Sequence, residues 1–144
     1  MTTEVQSDVR DNRQHSDSIP TCTLSNGLRV LNFSSAHQFR FADGTVLEAC
    51  SAERSKLLSM DLNETETPSA CGRFKMLSLT FNMSDAVQRE VDAMRDAQVD
   101  IVLCPLPLVE LLRRQPQPTT GPIFAGIRRT DRVNGLIHID RFCV

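Results

Sequence analysis

The sequence predicts an α/β (α+β) fold, in which a mixed, largely antiparallel sheet of about six to eight strands has two short helices packed on one face. Three observations support this prediction. Residues 99–107 contain a short apolar run that ends at prolines, amphipathic stretches precede and follow that run, and several Asn-Gly or Asp-Gly pairs separate strand-like segments. We expect one domain over residues 21–144.

The apolar run predicts a central strand that is covered on both faces. Ile101, Val102 and Leu103 are consecutive apolar residues, and Pro105 has no backbone N–H with which to continue a ladder. Helical stretches on either side indicate a β-α-β arrangement. A ligand site in such a fold is expected just past the carboxyl end of the strand, near residues 104–107.

Three pairs of turn residues predict β-hairpins. They are Asn26-Gly27, Asp43-Gly44 and Asn134-Gly135, and each lies between strand-like segments. Such pairs suit two-residue type I′ turns, because both central residues need a positive φ. A further hairpin is predicted from the pairing of residues 57–66 with 73–82, although residues 51–66 fit either a strand or a helix.

Two amphipathic segments predict the helices, over residues 84–97 and 107–114. Ser84 is a favourable N-cap residue, and Val87, Val91 and Met94 follow at the spacing of one helical face. Pro107 suits the first turn of the second helix, where its missing N–H has no intrahelical partner to lose.

Composition excludes several classes of protein. Residues 1–20 are polar and mixed in charge, so we expect a mobile N-terminal arm rather than a secretory signal. No apolar run approaches the ~20 residues of a membrane span, and we therefore expect a cytoplasmic protein. The five cysteines contain no CxxC pair, which favours reduced thiols over a local zinc site. No phosphate-binding glycine motif or other cofactor motif is present, so no cofactor is predicted.

Charge is distributed unevenly along the chain. Six arginines and two aspartates give residues 113–144 a charge of +4, which leaves −6 for residues 1–112 because the whole chain carries −2. The candidate anion-binding residues in this basic segment are Arg128, Arg129, Arg132 and Arg141. Charge complementarity between the two parts of the chain is the favoured alternative. The negative total and the absence of Trp and Tyr disfavour nucleic-acid binding.

The C-terminal hairpin predicts a polar cluster. If Asn134-Gly135 forms a two-residue turn, Asp131 lies opposite His138, and Arg129 lies opposite Asp140. A histidine between carboxylates can act as a general acid or base, or can bind a metal with a ligand from elsewhere. A ladder of cross-strand ion pairs is the favoured alternative, and no metal is predicted.

Cys104 is a further candidate catalytic residue. A cysteine between a strand and a helix N-terminus can have a stabilised thiolate. The favoured alternative is a buried and unreactive thiol that closes the apolar run.

A protein-interaction or assembly module is the predicted function. The C-terminal hairpin has apolar residues on both faces, and two short helices cannot cover both sides of a large sheet. We therefore expect a homo-oligomer or a protein partner that buries the uncovered face or an edge strand. The alternative is a small enzyme or metal-binding protein that uses the polar cluster of the C-terminal hairpin.

Overall fold

The computed structural model of the protein describes residues 19–116, 118–129 and 132–144. These residues form an α+β fold with no cis peptide bonds. In chain order the elements are β1 (Thr21–Thr23), β2 (Arg29–Asn32), β3 (Phe39–Arg40), β4 (Val46–Leu47), α1 (Ala52–Leu57), β5 (Asp61–Pro68), β6 (Lys75–Asn82), α2 (Asp85–Met94), β7 (Ile101–Leu103), α3 (Leu106–Arg113), β8 (Ile123–Ala125), β9 (Arg132–Val133) and β10 (Leu136–Ile137).

The central sheet has four strands in the order β1-β2-β7-β8. β7 lies between two parallel neighbours, β2 and β8, and β1 pairs antiparallel with β2. Ile101, Val102 and Leu103 are all buried, which confirms the predicted central strand. The chain passes from β7 through α3 to β8, so the predicted β-α-β arrangement is also confirmed.

The remaining strands do not extend the central sheet. They form three separate two-stranded sheets, β3–β4, β5–β6 and β9–β10, so the predicted sheet of about six to eight strands is not found. The physical reason is that β3–β4 and β9–β10 use their side chains to cover the central sheet. Phe41, Leu47 and Ile137 are fully buried against it, which makes these hairpins a second layer rather than additional edge strands.

Helices cover one face of the central sheet. Val87 and Val91 of α2 and Leu108 of α3 pack with Leu31 and Val102 of the sheet. The Ser84 hydroxyl accepts a hydrogen bond from the Val87 N–H at 3.2 Å, which confirms the predicted N-cap of α2.

The short hairpins cover the opposite face. Val30, Ile101 and Leu103 point to this side and form a second core with Phe41 and Ile137. The apolar character of the C-terminal hairpin is therefore largely satisfied inside the chain. β10 contributes a fully buried residue to this second core, so the apolar residues of this hairpin do not by themselves support a companion, which stays a prediction.

The three turn pairs do not all form the same turn. Asn134 and Gly135 both have positive φ, of 55° and 80°, and Leu136 pairs with Val133, as a two-residue type I′ turn requires. At the other two sites only the glycine has a positive φ. Three-residue loops form there instead. The first is closed by a hydrogen bond from the Leu24 N–H to the Leu28 carbonyl, and the second by one from the Phe41 N–H to the Thr45 carbonyl.

Asp43 joins these two three-residue loops. One oxygen of its carboxylate accepts from the Ser25 N–H at 2.7 Å, and the other accepts from the Thr45 N–H at 2.8 Å. The Ser25 and Thr45 N–H groups lower the pKa of Asp43 to about 2, because both favour the ionised carboxylate.

Helix α1 resolves the ambiguity in residues 51–66, because residues 52–57 are helical and the strand begins only at Asp61. Arg54 attaches this helix to the body of the protein. Its Nε donates to the Phe33 carbonyl at 2.7 Å, and its Nη1 forms a 2.8 Å ion pair with Glu90 of α2. The β5–β6 hairpin is inserted between α1 and α2, so this ion pair fixes the helices from which the hairpin departs.

Replacement of Leu108 by alanine tests the first core. Leu108 is 1% exposed, so Leu108→Ala should lower the free energy of unfolding by about 2–5 kcal/mol, because it leaves a cavity. Leu57 is 63% exposed, and Leu57→Ala is the control, with an expected change below about 0.5 kcal/mol. Urea denaturation followed by circular dichroism measures both. Equal effects of the two substitutions would contradict the assignment of this core.

Removal of the Asp43 charge tests the link between the loops. The folded-state pKa of Asp43 is below the ordinary value of 3.8, so its stabilising effect is complete above that pH and is lost as pH falls toward 2. The wild type should therefore be more stable than Asp43→Asn near neutral pH, and this difference should shrink in that acidic window. Urea unfolding at several pH values measures the difference in free energy of unfolding between the two proteins. A difference that does not change with pH would show that the Ser25 and Thr45 N–H groups do not stabilise the ionised Asp43 carboxylate.

Candidate functional site

The β5–β6 hairpin projects from the body of the protein. Its eight-residue strands pair antiparallel along their whole length, from Asp61 with Asn82 to Pro68 with Lys75, and every residue in both strands is exposed. Two-stranded hairpins in water are marginally stable at best unless a further strand or a helix packs on them. An exposed hairpin of this length is therefore a candidate binding element.

The two faces of the hairpin differ in polarity. The register places Leu62 opposite Phe81 on one face, which also contains Leu77 and Leu79. These four side chains, which we call the apolar face, are 53%, 39%, 58% and 57% exposed in that order. The polar face lies on the opposite side, and its central pairs are Asn63 with Thr80 and Thr65 with Ser78.

The two edges of the hairpin also differ. β5 contains three carboxylates and ends at Pro68, and charges and proline are the features that discourage a strand edge from pairing with another chain. In β6 the only charged residue is Lys75 at the tip, which forms a 3.2 Å ion pair with Glu66. Residues 76–82 are uncharged and contain no proline or glycine. In the part of the chain that the structure describes, β6 pairs with β5 alone, so its outer edge is open.

A groove lies at the base of the apolar face. It has a volume of about 370 Å³ and extends between α1 and the start of α3. Phe81 belongs both to the apolar face and to the lining of this groove, which also includes Met60, Pro105 and Pro107. The apolar surface therefore continues from the hairpin onto the body.

A small cavity of about 180 Å³ lies at the carboxyl end of β7, where the sequence analysis placed a ligand site. Cys104 and Arg132 both line it, so the fold brings these two candidate residues together. Burial raises the pKa of the Cys104 thiol to about 12, which leaves it protonated at neutral pH. A protonated, buried thiol is a poor nucleophile, so the geometry favours a structural role for Cys104.

The predicted polar cluster lies partly outside the described residues, because Asp131 is not among them. The described β9–β10 ladder has the predicted register, with Val133 opposite Leu136 and Arg132 opposite Ile137. His138 is half-buried just after β10, and Asp140 is exposed. Neither residue lines the cavity that contains Cys104. The opposition of Asp131 to His138 stays a prediction.

The described residues do not provide a metal site, since no group of three or more His, Cys, Asp and Glu side chains among them is arranged to hold an ion. Of the four candidate anion-binding arginines, Arg128, Arg129 and Arg141 are exposed, and Arg132 lines the small cavity. Their convergence on one anion stays a prediction.

A larger cavity, of about 480 Å³, lies beside α3 and β8. Its two arginines already have partners. Arg113 donates to the Glu110 carboxylate at 2.9 Å and to the Val144 carbonyl at 2.7 Å, and Arg95 lies over the Phe124 ring at 5.5 Å. These contacts leave little uncompensated positive charge for an anionic ligand.

The five cysteines are all free and differ in their environments. Cys71 is exposed in the loop at the tip of the β5–β6 hairpin, where a 3.4 Å hydrogen bond with the Ser69 hydroxyl lowers the pKa of its thiol. Burial raises the pKa of Cys22 and Cys50.

Comparisons with known proteins give no independent indication of function, since neither a family model, a curated protein nor a solved structure matches the chain. None of the helices in the described residues has the length and apolar character needed to cross a membrane.

The β5–β6 hairpin is not among the sites predicted from the sequence, and the predicted pairing of residues 57–66 with 73–82 is observed for Asp61–Pro68 with Lys75–Asn82. Two signals were present. Apolar residues alternate through β6 at positions 77, 79 and 81, and the acidic residues are confined to β5. Neither pattern predicts whether the rest of the chain covers the apolar face, because that depends on contacts between distant residues.

Alkylation tests the contrast among the thiols. Iodoacetamide should modify Cys71 first and Cys104 last, because the reactive form is the thiolate and Cys104 is both buried and protonated. Peptide mass spectrometry after timed quenching measures the order. Unfolding in urea serves as the control and should remove the difference. Modification of Cys104 as fast as Cys71 in the folded protein would contradict the assigned environments.

Proposed function

We propose that the protein is an assembly module that self-associates through the β5–β6 hairpin. The observation that carries this proposal is the apolar face, whose four large side chains are 39–58% exposed beside an open strand edge. Isolated apolar residues are common on protein surfaces, whereas a contiguous patch bordered by polar residues is typical of an interaction site.

The extent of the surface is consistent with this function. Each side chain of the apolar face exposes roughly 100 Å², which gives a patch of about 400 Å² before the groove at its base is added, and patches of this size are often functional. The open backbone edge of β6 adds unpaired N–H and C=O groups. Specific complexes usually bury about 800 Å² per partner, so the open strand edge and the groove would have to supply the remainder.

The polarity of the hairpin supports the same conclusion. Its opposite face is mostly hydrophilic, with Thr65 and Ser78 at the centre and Met76 as its one large apolar side chain. A partner would therefore contact the apolar face and the adjacent edge of β6, and the opposite face would stay in water. The arrangement differs from a general tendency to aggregate, because only one face and one edge are suited to a partner.

The cysteines favour a reducing compartment as the place where this assembly occurs. All five are free, and the lowered pKa of Cys71 would promote disulfide exchange under oxidising conditions. The cytoplasm fits this requirement.

Substitution within the apolar face tests the proposal. Sedimentation velocity of the wild type should show a species of twice the 16.1 kDa chain mass. The double variant Leu77→Ser/Leu79→Ser should weaken its formation at least about tenfold, because it removes apolar area from the interface.

The matched control is Asn63→Ser/Thr65→Ser, which changes two residues of the polar face on β5, the strand away from the open edge. This control should associate as the wild type does, and circular dichroism should show that both variants are folded. A wild type that sediments at 16.1 kDa well above micromolar concentration would overturn the proposal.

A further inference from the structure

We infer that two copies of the chain pair edge to edge through their β6 strands, antiparallel, so that their hairpins form one continuous four-stranded sheet. This inference rests on the proposed self-association and specifies its geometry. The spatial order of strands would be β5-β6-β6-β5, with the two β6 strands at the centre and the acidic β5 strands outside.

The difference between the two edges determines which strand pairs. The outer edge of β5 presents Asp61, Glu64 and Glu66 and ends at Pro68, and a second strand there would meet like charges. Along β6 the stretch from Met76 to Asn82 has no such obstacle and includes the strand-favouring residues Thr80 and Phe81. An uncharged edge of this length is a liability unless another strand covers it, so its retention is consistent with a dedicated partner strand.

The sequence of β6 is suited to pairing with itself. In an antiparallel pair centred on Ser78, Leu77 lies opposite Leu79 of the second copy, and Met76 lies opposite Thr80 of the second copy. No charge faces a like charge, since Lys75 lies opposite Phe81 of the second copy. Even-numbered residues meet even-numbered ones in this register, so the apolar faces of the two copies lie on the same side of the sheet.

The position of the apolar residues favours an edge contact over stacking of the two hairpins face to face. Leu77 and Leu79 lie on β6, next to the open edge, while Glu66 and Glu64 lie directly opposite them on β5. Edge pairing places four leucines together at the centre of the sheet and leaves the glutamates at its margins in water. Stacking would instead bring the glutamates of both copies into an apolar interface, where burial of a charge is costly.

The groove at the base of the hairpin provides cover for the tip of the second hairpin. In the register centred on Ser78, Lys75 lies opposite Phe81 of the other copy, and the tip loop of residues 69–74 continues toward the body of that copy. Phe81 lines the groove of about 370 Å³, together with Met60 and Pro107. Each hairpin tip would therefore end next to the body of the other copy rather than in open solvent.

A charge-reversal experiment at Ser78 tests this geometry. Ser78 lies on the polar face, so its substitution leaves the apolar face intact, but the symmetric register places it directly opposite itself. Ser78→Lys and Ser78→Glu should each weaken dimer formation about fivefold in sedimentation velocity, because like charges then face each other. An equal mixture of the two variants should restore dimers at or beyond the wild-type level.

Thr65→Lys is the matched control. Thr65 pairs with Ser78 on the same face of the same hairpin but belongs to the outer strand, where equivalent residues of two copies would be about 15 Å apart, three strand spacings of nearly 5 Å. We expect its dimer dissociation constant to stay within about twofold of the wild type, because charges at this distance in water are largely screened.

Disulfide trapping gives a second, independent readout. In the background Cys71→Ser, Ser78→Cys should form an intermolecular disulfide on mild oxidation, since residues directly opposite in a ladder have Cβ atoms about 5 Å apart. Thr65→Cys in the same background should not, and a non-reducing gel distinguishes the two.

The outcomes separate this inference from the proposed function. A dimer that is lost in Leu77→Ser/Leu79→Ser but is insensitive to Ser78→Lys, with no trapping through Ser78→Cys, would overturn edge pairing and leave self-association through the apolar face in place. A wild type that stays monomeric would overturn both. Mutual rescue of Ser78→Lys by Ser78→Glu would support the antiparallel register.

Discussion

The parallel pairing of β7 with β2 and β8 is the constraint from which the remaining architecture follows. Because β7 is buried on both faces, each face of the sheet needs a cover, and alternate residues of the strand point to different cores. Val102 faces the helices, while Ile101 and Leu103 face the short hairpins. Helices α2 and α3 supply one layer. The two-residue strand pairs β3–β4 and β9–β10 supply the other, which explains why they do not join the central sheet.

The β5–β6 hairpin is the one long element among the described residues that belongs to neither core. It departs between α1 and α2, and the Arg54–Glu90 ion pair joins these two helices near the surface of the protein. A hairpin held at its base but exposed along its length can present one face and one edge without disturbing the fold. The two strands of the hairpin differ in composition. The carboxylates lie on β5, and three of the four residues of the apolar face lie on β6. This asymmetry is the feature on which the proposed self-association rests.

The described candidate catalytic residues do not line one common cavity. Cys104 lies at the carboxyl end of the central strand, as expected, but burial raises the pKa of its thiol and keeps it protonated. The cavity there is small and its lining is mostly apolar. This environment favours a structural role for Cys104.

The sequence by itself determined the features that depend on neighbouring residues. The buried β7 run, the Ser84 cap, the type I′ turn at Asn134-Gly135 and the pairing of β5 with β6 all follow from local patterns. Only the tertiary structure decided the features that depend on distant contacts. The loop at Asp43 has three residues and hydrogen-bonds to Ser25, the hairpins divide into separate sheets, and the apolar face of β5–β6 remains uncovered. Local patterns report which side chains avoid water, but not which other part of the chain will cover them.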